Sequence, residues 1–171
     1  MKTGIIVARF QVPFLHHGHI HLIHSVVKKS DQVVIILGSP SQPDIRNILP
    51  FDIRREMIAH WWRNGGLFTD KTGKYTYLFF NEILDHHEDA RWSMTLDKIV
   101  DRYENPTLYG SRDSFAKFYT GKHKYVNIKE LKNVSGTQVR ENMNAANNID
   151  YRIGLIEGYT LHAEQHSSGN W

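Results

Sequence analysis

The chain predicts an α/β fold: a doubly wound, mostly parallel five-stranded sheet with helices on both faces. Three observations predict it. Short apolar runs alternate with amphipathic stretches, the order of strands joined by crossover helices. The length of 171 residues suits one domain with a real core. The polar clusters each follow a strand or open a helix, where open α/β sheets bind ligands.

Strands are predicted at Gly4–Ala8, Gln32–Leu37, Tyr75–Phe80, Thr107–Tyr109 and Tyr125–Ile128. Helices are predicted at His19–Lys29, Asp52–Trp62 and Trp92–Tyr103, the last because Trp92, Leu96, Ile99 and Tyr103 recur at helical spacing. Shorter helices are expected at Ser114–Tyr119, Gly136–Asn144 and Tyr151–Leu161. Gly38–Pro50, with Pro40, Pro43, Pro50, Ser39, Ser41 and Asn47, reads as a functional loop. Asn64–Lys74 reads as a plain connection and His166–Trp171 as a frayed tail. With no repeat and no linker, one domain is expected over 1–165, followed by a flexible tail over 166–171.

Composition narrows the function classes. An apolar fraction of 40% and a charged fraction of 23% are ordinary globular usage. With no cysteine, disulfides and Cys-based metal or redox chemistry are excluded. The net charge of +3 suits a phosphorylated small molecule but is too weak and scattered for a nucleic-acid surface. Met1-Lys2-Thr3 runs straight into a strand without the apolar region of a signal peptide. No apolar run nears the roughly 20 residues of a membrane span. A cytoplasmic address is expected, with no membrane and no nucleic-acid partner.

Two constellations carry chemistry. The first is Arg9 with His16-His17-Gly18-His19, lying between the Gly4-Ile5-Ile6-Val7 strand and the Ile20-His21-Leu22-Ile23 helix. A helix N-terminus offers unpaired N–H groups and a partial positive charge. Gly18 permits close backbone approach and each imidazole can donate to a phosphate oxygen. His17, His21 and His24 could share one helical face, but no carboxylate or thiol completes a metal set. The second constellation is Val134-Ser135-Gly136-Thr137-Gln138-Val139-Arg140, in which two hydroxyls and a glycine open a helix and Arg140 follows one turn in. Ser135 is also a natural N-cap.

Together, His-x-Gly-His near the N-terminus and Ser-x-Thr-x-x-Arg near the C-terminus resemble the nucleotidyltransferase superfamily. Within it the chain is most similar to the archaeal-type nicotinamide mononucleotide adenylyltransferases and related bacterial and phage proteins. The resemblance covers roughly residues 4–143. It takes in Arg9-Phe10-Gln11, Gly38-Ser39, Arg46-Asn47 ahead of Pro50-Phe51, Arg54 with Met57, Asp85 with Trp92, and Gly110-Ser111. Ala8 stands where the family has glycine, two extra residues precede His16, and Asp89 replaces a common asparagine.

The resemblance implies a Rossmann-like domain that transfers a nucleotidyl group with loss of pyrophosphate. It implies catalytic roles for His16, His19 and Arg140. Arg9 and Arg140 would hold the triphosphate, with Phe10, Gln11, Gly18, Gly110, Ser111, Arg112, Asp113, Val134, Ser135 and Thr137 completing the ATP site. Gly38, Ser39, Arg46, Asn47, Arg54, Asp85 and Trp92 would serve the acceptor, Arg46 as a further phosphate contact and Trp92 by stacking on the nicotinamide ring. A Trp heading an amphipathic stretch can equally be core. The expected ligands are ATP, with Mg²⁺ riding on the triphosphate, and nicotinamide mononucleotide; self-association is left open. The rivals are another phosphorylated acceptor (phosphopantetheine, flavin or sugar phosphate), a CTP-dependent transfer, and a non-catalytic nucleotide sensor. A class I tRNA-synthetase fragment is disfavoured, since the chain shows no Lys-Met-Ser-Lys-Ser-like segment or anticodon-binding region.

Overall fold

The computed structural model describes residues 1–12, 14–42, 47–64, 76–111 and 115–130. Along them run β1 (Thr3–Ala8), α1 (His17–Val27), β2 (Gln32–Ser39), α2 (Phe51–Asn64), β3 (Tyr77–Leu84), α3 (Asp89–Val100), β4 (Pro106–Gly110) and β5 (Tyr125–Asn127), with a 3₁₀ turn at Phe115–Lys117. The strands form one five-stranded sheet in the order β3-β2-β1-β4-β5, every pairing parallel. This is the doubly wound, Rossmann-like architecture that the alternation predicts. The chain winds outward from β1 to β3, then returns to the other side of β1 with β4.

Strand periodicity sorts the core into two layers. Ile6, Val33, Ile35, Leu37 and Tyr109 face Leu22, Ile23 and Val26 of α1 and Met57, Ile58 and Trp62 of α2. The alternate residues Ile5, Val7, Val34, Ile36, Ile83 and Leu108 face Leu96, Ile99 and Val100 of α3. β1 and β2 are covered on both faces, which explains why their sequences are continuous apolar runs. Gly4 is required by close approach, because a Cβ there would collide with Ser30 Oγ and Val26 Cγ1 beside α1.

The boundaries differ from expectation where polar residues have local partners. β3 runs to Leu84 rather than stopping at Phe80, since its ladder with β2 extends to Ser39↔Leu84. Asn81 and Glu82 break the apolar run, yet β3 is an edge strand, and Asn81 donates to the Tyr103 hydroxyl at 2.7 Å. α1 begins two residues early because His16 caps it. α3 ends at Val100, and Tyr103 lies in the following turn while still packing against the core. The short helix expected near Ser114 is the 3₁₀ turn. The expected helices at Gly136–Asn144 and Tyr151–Leu161, most of the connection after Asn64, and the tail lie outside the described residues. No helix among the described residues is long and apolar enough to cross a membrane.

Candidate active site

The reversal of strand order falls between β1 and β4, and in open α/β sheets the crevice outside the carboxyl ends of the strands at such a reversal is where ligands bind. β1 delivers Arg9-Phe10-Gln11 to this edge. Phe10 has φ 50° and is 3% exposed, its ring centroid 4.7 Å from that of His19. A bulky residue in the left-handed region costs about 1–2 kcal/mol, which burial of the ring offsets. The bend turns Arg9 toward the crevice rim and Gln11 inward. Buried Gln11 then mimics a strand partner: its Nε2 donates to the Leu49 carbonyl at 3.0 Å and its Oε1 accepts from the Leu49 N–H at 2.9 Å. Gln11 thus pins the end of the proline-containing loop against β1.

His16 opens α1. Its Nδ1 accepts from the backbone N–H groups of Gly18 at 3.1 Å and His19 at 3.4 Å. That capping bond leaves the neutral ring's proton on Nε2, so the ring's far nitrogen is a donor. The His16 and His19 rings stack with centroids 3.7 Å apart and planes 18° from parallel. Two imidazoles therefore stand together at the positive end of a helix. Of the other histidines, His17 is exposed and His21 donates from Nε2 to the Lys129 carbonyl at 3.1 Å. Burial, with Lys28 and His21 nearby, pushes the His24 imidazolium down from its ordinary range. Among the described residues no group of three His, Asp or Glu side chains could hold a metal ion.

Arg9 is an exposed cation at this edge among the described residues. One terminal nitrogen donates to Asn47 Oδ1 and the other to Asp85 Oδ2, each at 2.7 Å. Gly38 lies beneath its stem, where a Cβ would come within 3.5 Å of Arg9 Cγ. Asp85 is placed by the end of β3, its N–H donating to the Ser39 carbonyl at 2.8 Å.

Arg54 lies under the site. It is 1% exposed, and its guanidinium donates to the carbonyls of Arg9 at 2.7 Å and Gly38 at 2.8 Å and to Ser39 Oγ at 2.6 Å. Burial pushes its ionisation down, against the pull of Glu82. It ties together the ends of β1 and β2 that carry the crevice. Its sequence signal is the spacing to Met57 and Ile58, which puts it on the buried face of α2.

Gly110 and Ser111 end β4 at the same edge and fasten the chain after β5: Ile128 N–H donates to the Gly110 carbonyl at 2.8 Å and Ser111 Oγ to the Ile128 carbonyl at 2.9 Å. Trp92 is half-buried near the start of α3, 5.8 Å from the Phe115 ring and packed against the second core layer. The structure thus gathers Arg9, Asn47, Asp85, Gly38 and Ser39 into one cluster, with His16, His19 and Phe10 in another. Arg46, Arg112, Asp113, Val134, Ser135, Thr137 and Arg140 lie outside the described residues.

The fold has solved counterparts. A bifunctional NMN adenylyltransferase/ADP ribose pyrophosphatase from Francisella tularensis is similar at TM-score 0.67 and 24% identity, over 85% of this chain and 42% of that one. The structure of that Francisella tularensis protein with AMP and a manganese ion gives 0.66 and 24%, over 83% and 41%. A NadR protein in complex with NAD and AMP-PNP gives 0.50 and 18%, over 82% and 42%. The chain thus spans less than half the length of these proteins, and at such identities the likeness is one of fold. No curated protein is significantly similar to it in sequence. Residues 6–142 match the cytidylyltransferase-like family from the first strand onward, and the chain belongs to that family.

Proposed function

We propose that the chain is an adenylyltransferase joining ATP and nicotinamide mononucleotide to give NAD and pyrophosphate. The observation that carries this reading is the His16–His19 pair stacked at the N-terminus of α1, at the carboxyl edge where β1 gives way to Arg9. A phosphate oxygen of the mononucleotide attacks the α-phosphorus of ATP, the bond to the bridging oxygen of the β-phosphate breaks, and pyrophosphate leaves. Catalysis of this kind needs position and charge neutralisation rather than a protein nucleophile. In this reading the His16 and His19 rings, the partial positive charge of the helix end and the Arg9 guanidinium supply that neutralisation. Ser135, Thr137 and Arg140 supply the other side of the triphosphate in this reading. Mg²⁺ enters with ATP as part of the substrate. Family membership supports nucleotidyl transfer, and the description of the Francisella tularensis protein as an NMN adenylyltransferase supports the acceptor.

Trp92 favours a second reading with a different phosphorylated acceptor or with CTP, because its ring already packs against Phe115. Pyrophosphate release from ATP and from CTP, measured against nicotinamide mononucleotide, phosphopantetheine, and flavin and sugar phosphates, separates the two. Release with ATP and nicotinamide mononucleotide alone is the expected result. Release with another pair replaces the acceptor, and nucleotide binding without turnover on any acceptor makes the chain a sensor.

A further inference from the structure

Arg9 and Asp85 serve different ligands in the reading above, on which this inference rests, yet in the structure they hold each other. The contact is built from below. The Arg9 carbonyl accepts from buried Arg54, the Asp85 N–H donates to Ser39, and Ser39 Oγ accepts from the same Arg54. Bonds therefore run from Arg9 through Arg54, Ser39 and Asp85 back to Arg9. Above this base the two charged ends are 45% and 36% exposed, so water and ligands reach both. A carboxylate oxygen 2.7 Å from a guanidinium nitrogen makes the bond that a phosphate oxygen would make. Exposed ion pairs are weak, so an anionic ligand can take Arg9 away from Asp85.

We propose that Asp85 is the internal counter-anion of Arg9 and that their contact couples the nucleotide and acceptor subsites. A phosphate oxygen that takes Arg9 frees the Asp85 carboxylate to accept a hydrogen bond from the acceptor's amide. An acceptor that engages Asp85 frees Arg9 for the nucleotide. Each ligand then raises the affinity for the other by the same factor. Asn47 keeps hold of the second Arg9 nitrogen, so the fork stays near the crevice during the exchange.

Calorimetric titration with a non-reacting α,β-methylene analogue of ATP tests this on the wild type, Asp85→Asn, Arg9→Ala and the double variant, with circular dichroism confirming that each folds. Asp85→Asn should tighten analogue binding by roughly two- to fivefold, and the gain should vanish in the Arg9→Ala background. Asp85→Ala, which removes the carboxylate differently, should tighten it similarly. Saturating nicotinamide mononucleotide should tighten analogue binding to the wild type and not to Asp85→Asn. Analogue binding that is unchanged or weakened in both Asp85 variants overturns the counter-anion while leaving the proposed activity standing. Tightening without any response to the mononucleotide overturns the coupling to that acceptor. A wild type that does not bind the analogue overturns the proposed activity and this inference with it.

Discussion

The buried guanidinium of Arg54 donates at 2.7 Å to the backbone carbonyl of Arg9, so a cation that no solvent reaches holds the main chain of one that solvent does. The same guanidinium serves Gly38 and Ser39 at the end of β2. Arg54→Met fills much of the space but leaves those acceptors without their donor. Urea unfolding should show a loss of about 2–4 kcal/mol. Arg54→Lys should recover less than half, because one ammonium cannot span acceptors arranged for a planar fork. Full recovery by lysine would show that only the charge matters there.

His16 carries two separable jobs. Nδ1 caps α1, while Nε2–H faces away from the cap as a donor. His16→Ala should lose both, costing about 1 kcal/mol in stability along with turnover. Asparagine is a strong N-cap, so His16→Asn should restore the unfolding midpoint and leave turnover low. Turnover that rises in step with stability in His16→Asn would reduce the residue to a cap.

His19 has no capping side chain to lose. It sits on the stack between His16 and the strained Phe10. His19→Ala should lower pyrophosphate release with ATP and acceptor by roughly two orders of magnitude or more, with a small change in melting temperature. Normal turnover in that variant would remove the His pair from the mechanism.

Much of this architecture was legible because the physics is local. The alternation in Ile5-Ile6-Val7 and Val33–Leu37 defines both core layers, and the strand-to-helix turn at Arg9–His19 marks the crevice. What could not be read was which polar residue spends its charge on the protein. The spacing of Arg54 to Met57 and Ile58 marks it for the buried face of α2, but neither it nor Arg9 names its partners in the sequence. Arg54 is buried against the carbonyls of Arg9 and Gly38 and the Ser39 hydroxyl while Arg9 faces solvent, a difference set by contacts 15 to 76 residues away. The Asp85–Arg9 pairing depends on β3 reaching Leu84, the boundary that periodicity misplaced because an edge strand tolerates Asn81 and Glu82. The Ser135–Arg140 cluster expected from the sequence lies outside the described residues.

Tyr119 ties the turn before β5 to α3. Its hydroxyl donates to Asp97 Oδ1 at 2.5 Å and accepts from the His123 N–H at 2.9 Å. Burial first, and the bond to Asp97 second, push its ionisation well above the ordinary value of 10.0. In the unfolded chain the phenol ionises normally, so above about pH 10 the unfolded state binds fewer protons than the folded one. Stability from this group is therefore complete at neutral pH and is lost as the pH rises past 10. Tyr119→Phe should cost about 1–2 kcal/mol at pH 7, since Asp97 loses a donor and His123 an acceptor. The same variant should flatten the decline of unfolding free energy between pH 9.5 and roughly 11 relative to wild type. Parallel declines in the two proteins over that range would assign the alkaline loss to other groups and leave Tyr119 a packing residue.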